Sequence, residues 1–311
     1  FAALMYVDKI NGKPYDADTE RPLFDELTAV YPSRRILLEN CESENNWPMR
    51  ITDLIAPIGF GQRSMIVAPP ESGKTVMMQE ICKAIKQNDK DAKLMMLLID
   101  ERPEAVTEVR DELEGVADVF ATTFDEAPDA QTRVAETMLE RAQRLVEQGK
   151  NVIVLLDSLT KLTRAYQAAA TQGSRTMTNT VTPSALIKPK RFFGAARNTR
   201  EGGSLTVIAT ILINTGSRVD DIIFEEFKGT ANMTLWLETP EENEPMFPVI
   251  NMRMSGTKKE DMLLEPQAIE SLKAVRTVLG SATNREALAQ LIDMMSKTGC
   301  NADLFARLKD W

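Results

Sequence analysis

Residues 65–80, MIVAPPESGKTVMMQE, decide how this chain is read. Gly73-Lys74-Thr75 closes a pattern that phosphate-binding loops write as G-x-x-x-x-G-K-[ST], and Ala68 stands where the first glycine would. A strand, a sharp loop and a helix N-terminus aim backbone N–H groups at one point, which favours an anion. Lys74 adds a charge for the outer phosphates, and Thr75 a hydroxyl suited to magnesium. Alanine serves at the strand end if it keeps a negative φ, and Pro69-Pro70 presets the next two residues. The competing reading is an ordinary strand-to-helix turn that contains GKT. The apolar run before the loop and the amphipathic segment after it favour the phosphate.

Working outward, short apolar runs at 65–67, 94–99, 116–121, 152–156 and 205–212 alternate with helix-like segments near 73–88, 103–113, 129–148 and 183–198. In the third of these segments Val134, Met138, Ala142 and Leu145 recur on one face, the spacing of a buried helical stripe. Continuously apolar strands separated by helices predict an α/β fold, a mainly parallel sheet flanked by helices. Two further strands are expected at 233–237 and 247–252, then a helical tail from about 266. FAALMYVDKI reads as a strand ending at the Asn11-Gly12 turn, and residues 13–50, rich in proline and charge, read as a connector. Because Phe1 is not an initiator methionine, the natural N-terminus is expected to be missing.

Acidic residues mark two other strand ends. NVIVLLDS stops at Asp157, where a carboxylate can hold a magnesium shell, although such an aspartate also serves as a helix cap. LMMLLIDERPE stops at Asp100-Glu101-Arg102-Pro103. Ligands of open parallel sheets lie at the carboxyl ends of the strands, which brings Glu101 beside the same nucleotide, able to orient or deprotonate water.

Composition removes other chemistries. The chain has 311 residues, 43% hydrophobic and 27% charged, enough for a full core. It has no histidine, so imidazole bases, Ser-His triads and His-ligated zinc are excluded. The three cysteines, Cys41, Cys82 and Cys300, form no ligand-spaced pair, which predicts a cytoplasmic setting without a disulfide framework. No apolar run is long enough to cross a bilayer, so no membrane is expected. A net charge of −9 argues against a broad nucleic-acid-coating surface but leaves room for local basic sites.

Several longer phrases resemble one family, the Rho transcription terminators among the RecA-type ATPases. They are PIGFGQRSMIVAPPESGKT, LLIDERPEAVTEVR, ATTFDE, NVIVLLDSLTKLTRAY, KPKRFFGAARNTREGGSLTVIAT, TGSRVDDIIFEEFKGTANM and SGTKKED, covering about residues 50–265. KRFFGAARN with EEFKGT is far more specific than the loop, and Rho-like loops open with A-P-P, which accounts for Ala68. The resemblance implies a RecA-type P-loop ATPase core over 51–311, preceded by a remnant of an OB-type RNA-binding domain at 1–12 and the connector at 13–50. It implies a homohexamer that threads RNA through a central pore, acts on RNA polymerase and uses ATP with Mg2+.

Carried over by motif, Gly59, Phe60, Gly61, Gln62, Arg63 and Ser64 belong to the nucleotide-pocket segment, and Glu71, Ser72, Gly73, Lys74, Thr75 and Val76 to the phosphate cradle. Glu101 becomes the catalytic base, Arg102 a phosphate-side partner, Thr75 and Asp157 the magnesium residues. Phe247 becomes the adenine stack, a role that suits an aromatic face. Lys258 takes the place of a bridging residue from the neighbouring subunit. Two pore loops fall near 168–182, with Arg175, and 214–220, with Arg218, and few charges per subunit suffice to grip a threaded strand. Lys188, Lys190, Arg191, Arg197 and Arg200 form a further basic run, of a kind usual on a solvated helix face.

The departures from the family pattern are specific. Glu71 replaces a basic residue, Lys161 the arginine of D-S-I-T-R, Lys258 that of S-G-T-R, and Pro245 another before Phe-Pro. Lysine keeps the charge and loses the bidentate fork, and an arginine finger is worth about 10³–10⁵ in turnover. Three readings follow: an ATP-driven RNA translocase that ends transcription, a ring of the same fold with weak or no hydrolysis, and a rotary-ATPase-type subunit. KRFFGAARN and TGSR argue against the third, and the retained Glu101, Lys74 and Asp157 favour the first.

Overall fold

The computed structural model describes residues 5–10, 13–14, 22–41, 46–171, 180–241, 246–279 and 283–308. Before the loop stand β1 (Lys9–Ile10), β2 (Lys13–Pro14), β3 (Ala29–Val30), β4 (Arg35–Ile36), α1 (Trp47–Ile55) and β5 (Ile58–Gly59). The core then alternates through β6 (Arg63–Ala68), α2 (Lys74–Asn88), β7 (Lys93–Glu101), α3 (Pro103–Glu112), β8 (Asp118–Thr123), α4 (Pro128–Glu147) and β9 (Asn151–Asp157). It continues with α5 (Leu159–Thr171), α6 (Pro183–Gly194), β10 (Arg197–Thr199), β11 (Ser204–Leu212), α7 (Arg218–Lys228), β12 (Met233–Glu238) and β13 (Val249–Thr257). Three helices close the chain: α8 (Pro266–Leu279), α9 (Asn284–Ser296) and α10 (Asn301–Leu308).

One sheet organises these elements in the order β13-β12-β6-β11-β9-β7-β8. The six strands from β12 to β8 run parallel, and β13 joins the edge antiparallel to β12. Both faces are covered, because alternate residues of each strand enter different cores. Ile66, Met96, Leu98, Ile153, Leu155 and Leu235 pack with α1, α2, α3 and the C-terminal helices. Met65, Val67, Leu97, Val154, Leu156, Val207 and Ile211 pack with α4, α5, α6 and α7. Burying an aliphatic side chain is worth about 1.5–3 kcal/mol, so a strand wet on neither face gains from being apolar throughout.

The expected α/β fold is the one observed, with differences of detail. Residues 22–50 do more than connect: Phe24, Leu27, Ile36, Leu38 and Met49 are buried in the two cores, and α1 begins at Trp47. Its Pro48 lies in the first turn, where a missing N–H costs nothing. Helix α6 stops at Gly194 rather than 198, because residues 197–199 leave to pair with β11 and β3. The strand expected at 247 starts at Val249, since Pro248 has no N–H for a ladder. Near the N-terminus, among the described residues of the long strand reading, only Lys9–Ile10 is strand, paired antiparallel with Lys13–Pro14, and residues 1–4 and the Asn11-Gly12 turn lie outside the described residues. Helices α5 and α7 were not read from the sequence. No helix among the described residues is long and apolar enough to cross a membrane.

Candidate active site

The parallel register brings the carboxyl ends of β6, β7, β9 and β11 to one edge. Ala68 lies beside Leu212, and Asp157 beside Leu98. Ala68 is fully buried and is not among the residues with positive φ, so it closes β6 without needing glycine. The turn is made later, by Glu71 at φ 59° and Gly73 at φ 78°. Ser72 is buried and its hydroxyl donates to Pro69 O at 2.8 Å, which holds the loop in shape. Glu71 and Val76 point outward, exposed at the start of α2.

Gly73 is required by contact as well as by φ. A Cβ there would lie 2.5 Å from Cζ of Phe247 and 3.0 Å from Cγ of Pro248. The Phe247 ring therefore rests on the loop, and at 50% exposure it leaves an aromatic face open beside it.

The ionic centre is compact. Lys74 Nζ donates to Oδ2 of Asp157 at 3.2 Å, and Thr75 Oγ1 donates to the same oxygen at 2.9 Å. The other carboxylate oxygen, Oδ1, accepts from Thr210 Oγ1 at 2.7 Å. Burial alone would raise the Asp157 pKa, but the Lys74 charge, the Thr210 hydrogen bond and Lys161 outweigh it and hold the carboxyl below its ordinary range. Burial likewise pulls Lys74 down, and Asp157 and Glu101 more than restore it, so the ammonium sits above its ordinary value. Lys161, noticed in the sequence only as a departure, forms an ion pair with Glu101 Oε1 and donates to Asp100 O at 3.0 Å. Arg102 is exposed at the start of α3, next to Glu101.

Among the described residues no cluster of three or more acidic or cysteine side chains could hold a metal by itself. Thr75 and Asp157 nevertheless suit Mg2+, which takes one or two protein oxygens and completes its shell with phosphate and water.

The nucleotide-binding domain of the ATP synthase alpha/beta family matches residues 48–257. The transcription termination factor Rho of Thermotoga maritima is 46% identical over 310 residues, covering 100% of this chain and 71% of that protein. That of Bacillus subtilis is 44% identical over 312 residues, covering 100% and 72%. The chain belongs to the Rho family. A solved structure of a prototypical ATPase from the type III secretion system of pathogenic bacteria shares the fold, with a TM-score of 0.71 at 21% identity over 90% of this chain and 81% of that one.

The rest of the Rho-like pattern divides between places. Gly59, Phe60, Gly61, Gln62, Arg63 and Ser64 lie at the amino end of β6, a strand length from the loop, and do not share its cleft within this chain. Their contacts are those of a turn. Gly61 N donates to Thr206 Oγ1 at 2.8 Å, Arg63 Nε to Thr230 O and Arg63 Nη1 to Ala196 O, both at 3.1 Å, and the Arg34 guanidinium lies 3.8 Å over the Phe60 ring. Gly61 is fixed at φ 86° where a Cβ would meet Asn198 N at 2.2 Å. Within this chain the segment is separated from the loop by the length of β6. Lys258 lies at the same far edge, exposed, with Nζ donating to Ala231 O at 2.9 Å.

One buried anchor was missed by sequence reasoning. Arg164, on α5, donates to Asp220 through Nε at 2.8 Å and Nη2 at 2.6 Å, and Thr215 Oγ1 donates to Asp220 at 2.6 Å. Asp220 is buried, so the segment before α7 is tied to α5, while Arg218 stays exposed. Arg175 and Pro245 lie outside the described residues. Of the basic run, Lys188 pairs with Glu136 and Lys190 with Glu226, as on a solvated face. The missed groups had one legible signal: Thr206 and Thr210 interrupt an apolar strand, and a buried hydroxyl needs a partner.

Proposed function

We propose that this chain is the ATP-hydrolysing, RNA-moving part of a homohexameric ring that terminates transcription in the cytoplasm, working on transcripts held by RNA polymerase. The observation that carries the reading is the shared oxygen of Asp157, which binds both the loop lysine and the loop threonine in a chain of the Rho family. Lys74 and the loop N–H groups hold the outer phosphates of ATP. Thr75 and Asp157 hold Mg2+, which when bound neutralises charge on the phosphate oxygens. Glu101 orients or deprotonates the attacking water, and Lys161 fixes the position of its carboxylate. Arg102 stands on the phosphate side, and Phe247 offers its open face to adenine. Arg218 and Arg175 grip RNA, a task that needs few cations per subunit and agrees with the acidic total.

Whether the lysines at 161 and 258 slow turnover is a question of rate, since each keeps the charge of an arginine without its fork. The deciding experiment is ATP hydrolysis by the purified chain with and without single-stranded RNA. RNA is expected to raise the rate, and Arg218→Ala to weaken that rise more than the basal rate, increasingly so at higher salt. Hydrolysis indifferent to RNA in the wild type would overturn the reading. A basal rate shared by wild type and Glu101→Gln would favour the ring with decayed hydrolysis.

A further inference from the structure

A cavity of about 580 Å³ lies beside Lys258, between β13 and helices α8 and α9, and its described lining includes no residue of the phosphate loop. One side of it is apolar. Ile55 of α1, Met252 and Met254 of β13, Val275 of α8 and Ala287 of α9 supply that wall. All but Met254 are buried in the core, so the wall stands without a ligand to form it. The other side is charged. Arg253, Lys258 and Arg276 bring three positive charges and Glu260 one negative, an excess of cations in a chain whose total is −9. A concave wall of low dielectric focuses such a field on an anion. These cations are not equally committed. Arg276 donates to both carboxylate oxygens of Glu260, at 2.8 and 2.9 Å, and to Ile55 O at 3.2 Å, which fixes its guanidinium in the wall. Lys258 Nζ makes one hydrogen bond among the described residues, to Ala231 O at 2.9 Å, and an ammonium has three N–H groups to give. The same side chain also lines two smaller cavities, of about 190 and 220 Å³, so it has room to leave Ala231.

We propose that this cavity binds a small organic anion, an apolar body carrying one sulfonate, carboxylate or phosphate, whose charged group draws Lys258 away from Ala231 O. Its volume is that of a small-ligand site, and an apolar wall with a few placed polar groups is the usual lining of one. The body packs on Met252, Val275 and Ala287, where leaving water is the driving force. Methionine side chains adapt to bodies of different outline, which suits a class of ligands rather than one shape. The anionic group takes the spare N–H groups of Lys258 in charge-assisted hydrogen bonds, stronger than a bond to a neutral carbonyl because both partners are ionised. Occupancy therefore sets where Lys258 points. Its effect on turnover rests on the bridging part given to Lys258 in an assembled ring, whereas binding of the anion does not.

The probe is 8-anilinonaphthalene-1-sulfonate, which joins aromatic rings to a sulfonate and fluoresces more strongly in apolar surroundings. One saturable site per chain is expected, undisturbed by Mg-ADP. Gly256→Leu fills the cavity: Gly256 lines it, has no positive φ, and a Cβ there would meet no atom within 4 Å. This variant is expected to weaken the dye by roughly tenfold or more. Lys258→Met keeps the length of the side chain and removes its charge, and should also cost about tenfold, with a weaker dependence on salt. Mg-ATP binding by both variants reports that they are folded. Dye displaced by Mg-ADP, or held equally well by the wild type and Gly256→Leu, would overturn the site. Dye held equally well by Lys258→Met would overturn the part given to the lysine. This arm needs no hydrolysis, so its outcome is separate from that of the ATPase reading. In assembled rings saturating dye is expected to lower turnover several-fold without changing the affinity for ATP. Full turnover with the site occupied would overturn the control of Lys258.

Discussion

The two edges of the central sheet are built differently. At the carboxyl edge Lys74, Thr75, Asp157, Lys161 and Glu101 satisfy one another within a few ångströms, and the Phe247 ring closes on the loop. At the amino edge Lys258 rests on a backbone carbonyl, and Gly59–Ser64 form a turn. Ser64 and Ala68 lie on the same strand, so these edges are about 13 Å apart at roughly 3.3 Å per residue. A cation at one edge therefore cannot reach a phosphate at the other within one chain. The contrast separates groups that meet within a single chain from groups that do not.

The largest effect should come from the acid at the carboxyl edge. Glu101→Gln is expected to lower turnover by about 10²–10⁴-fold while leaving ATP affinity nearly unchanged, because it removes the proposed base and spares the loop. Single-turnover hydrolysis with a parallel binding titration checks both halves, and unchanged turnover would take catalysis away from this edge.

Lys74→Ala should act on binding, costing at least about 10²-fold in Mg-ATP affinity, since it also leaves the buried Asp157 without its cation. Calorimetric titration measures this, and tight binding by the variant would break the assignment of the self-contained edge.

Lys258 probes the other edge. Lys258→Ala should leave the ATP affinity of the dilute chain intact and lower turnover only once rings assemble. Mixed into wild-type rings, a small fraction should inhibit by more than its share. Lys258→Arg restores the fork and should raise turnover by up to about tenfold. Strictly proportional loss on mixing would return Lys258 to a structural role at its own edge.

The smallest effect concerns how Asp157 is held. Thr210→Val removes one donor from a buried carboxylate and is expected to cost roughly 1–3 kcal/mol. Because the folded pKa of Asp157 lies below its unfolded value, its contribution is present above the ordinary carboxylate range and is lost as pH falls through the folded value. Lys74, raised in the folded state, contributes at neutral pH and loses its contribution only as pH climbs above the ordinary lysine range. Denaturant unfolding across acid pH should therefore show the variant losing stability at a higher pH than the wild type. Coincident acid limbs would mean that Thr210 does not tune the carboxylate.

Much of this protein was legible without coordinates, and the legible part has one character. The loop, the strand ends at Asp157 and Glu101, and the apolar runs are local patterns, in which each residue's role depends on neighbours a few positions away. From them the parallel sheet, the phosphate edge and the helical tail follow, and the longer phrases name the family. What the sequence alone could not decide is which distant groups meet. Lys161 reaches Glu101, Thr210 supports Asp157, and Arg164 ties down Asp220. Within the 13–50 stretch read as a connector, Phe24 and Leu27 enter one core and Ile36, Leu38 and Met49 the other. The same holds for Gly59–Ser64, adjacent to the loop in sequence and removed from it by the length of β6. Each of these depends on strand order and on the direction a strand carries its ends. Local preference is set by backbone geometry over a few residues, whereas strand order is settled only when the whole chain buries its apolar faces at once.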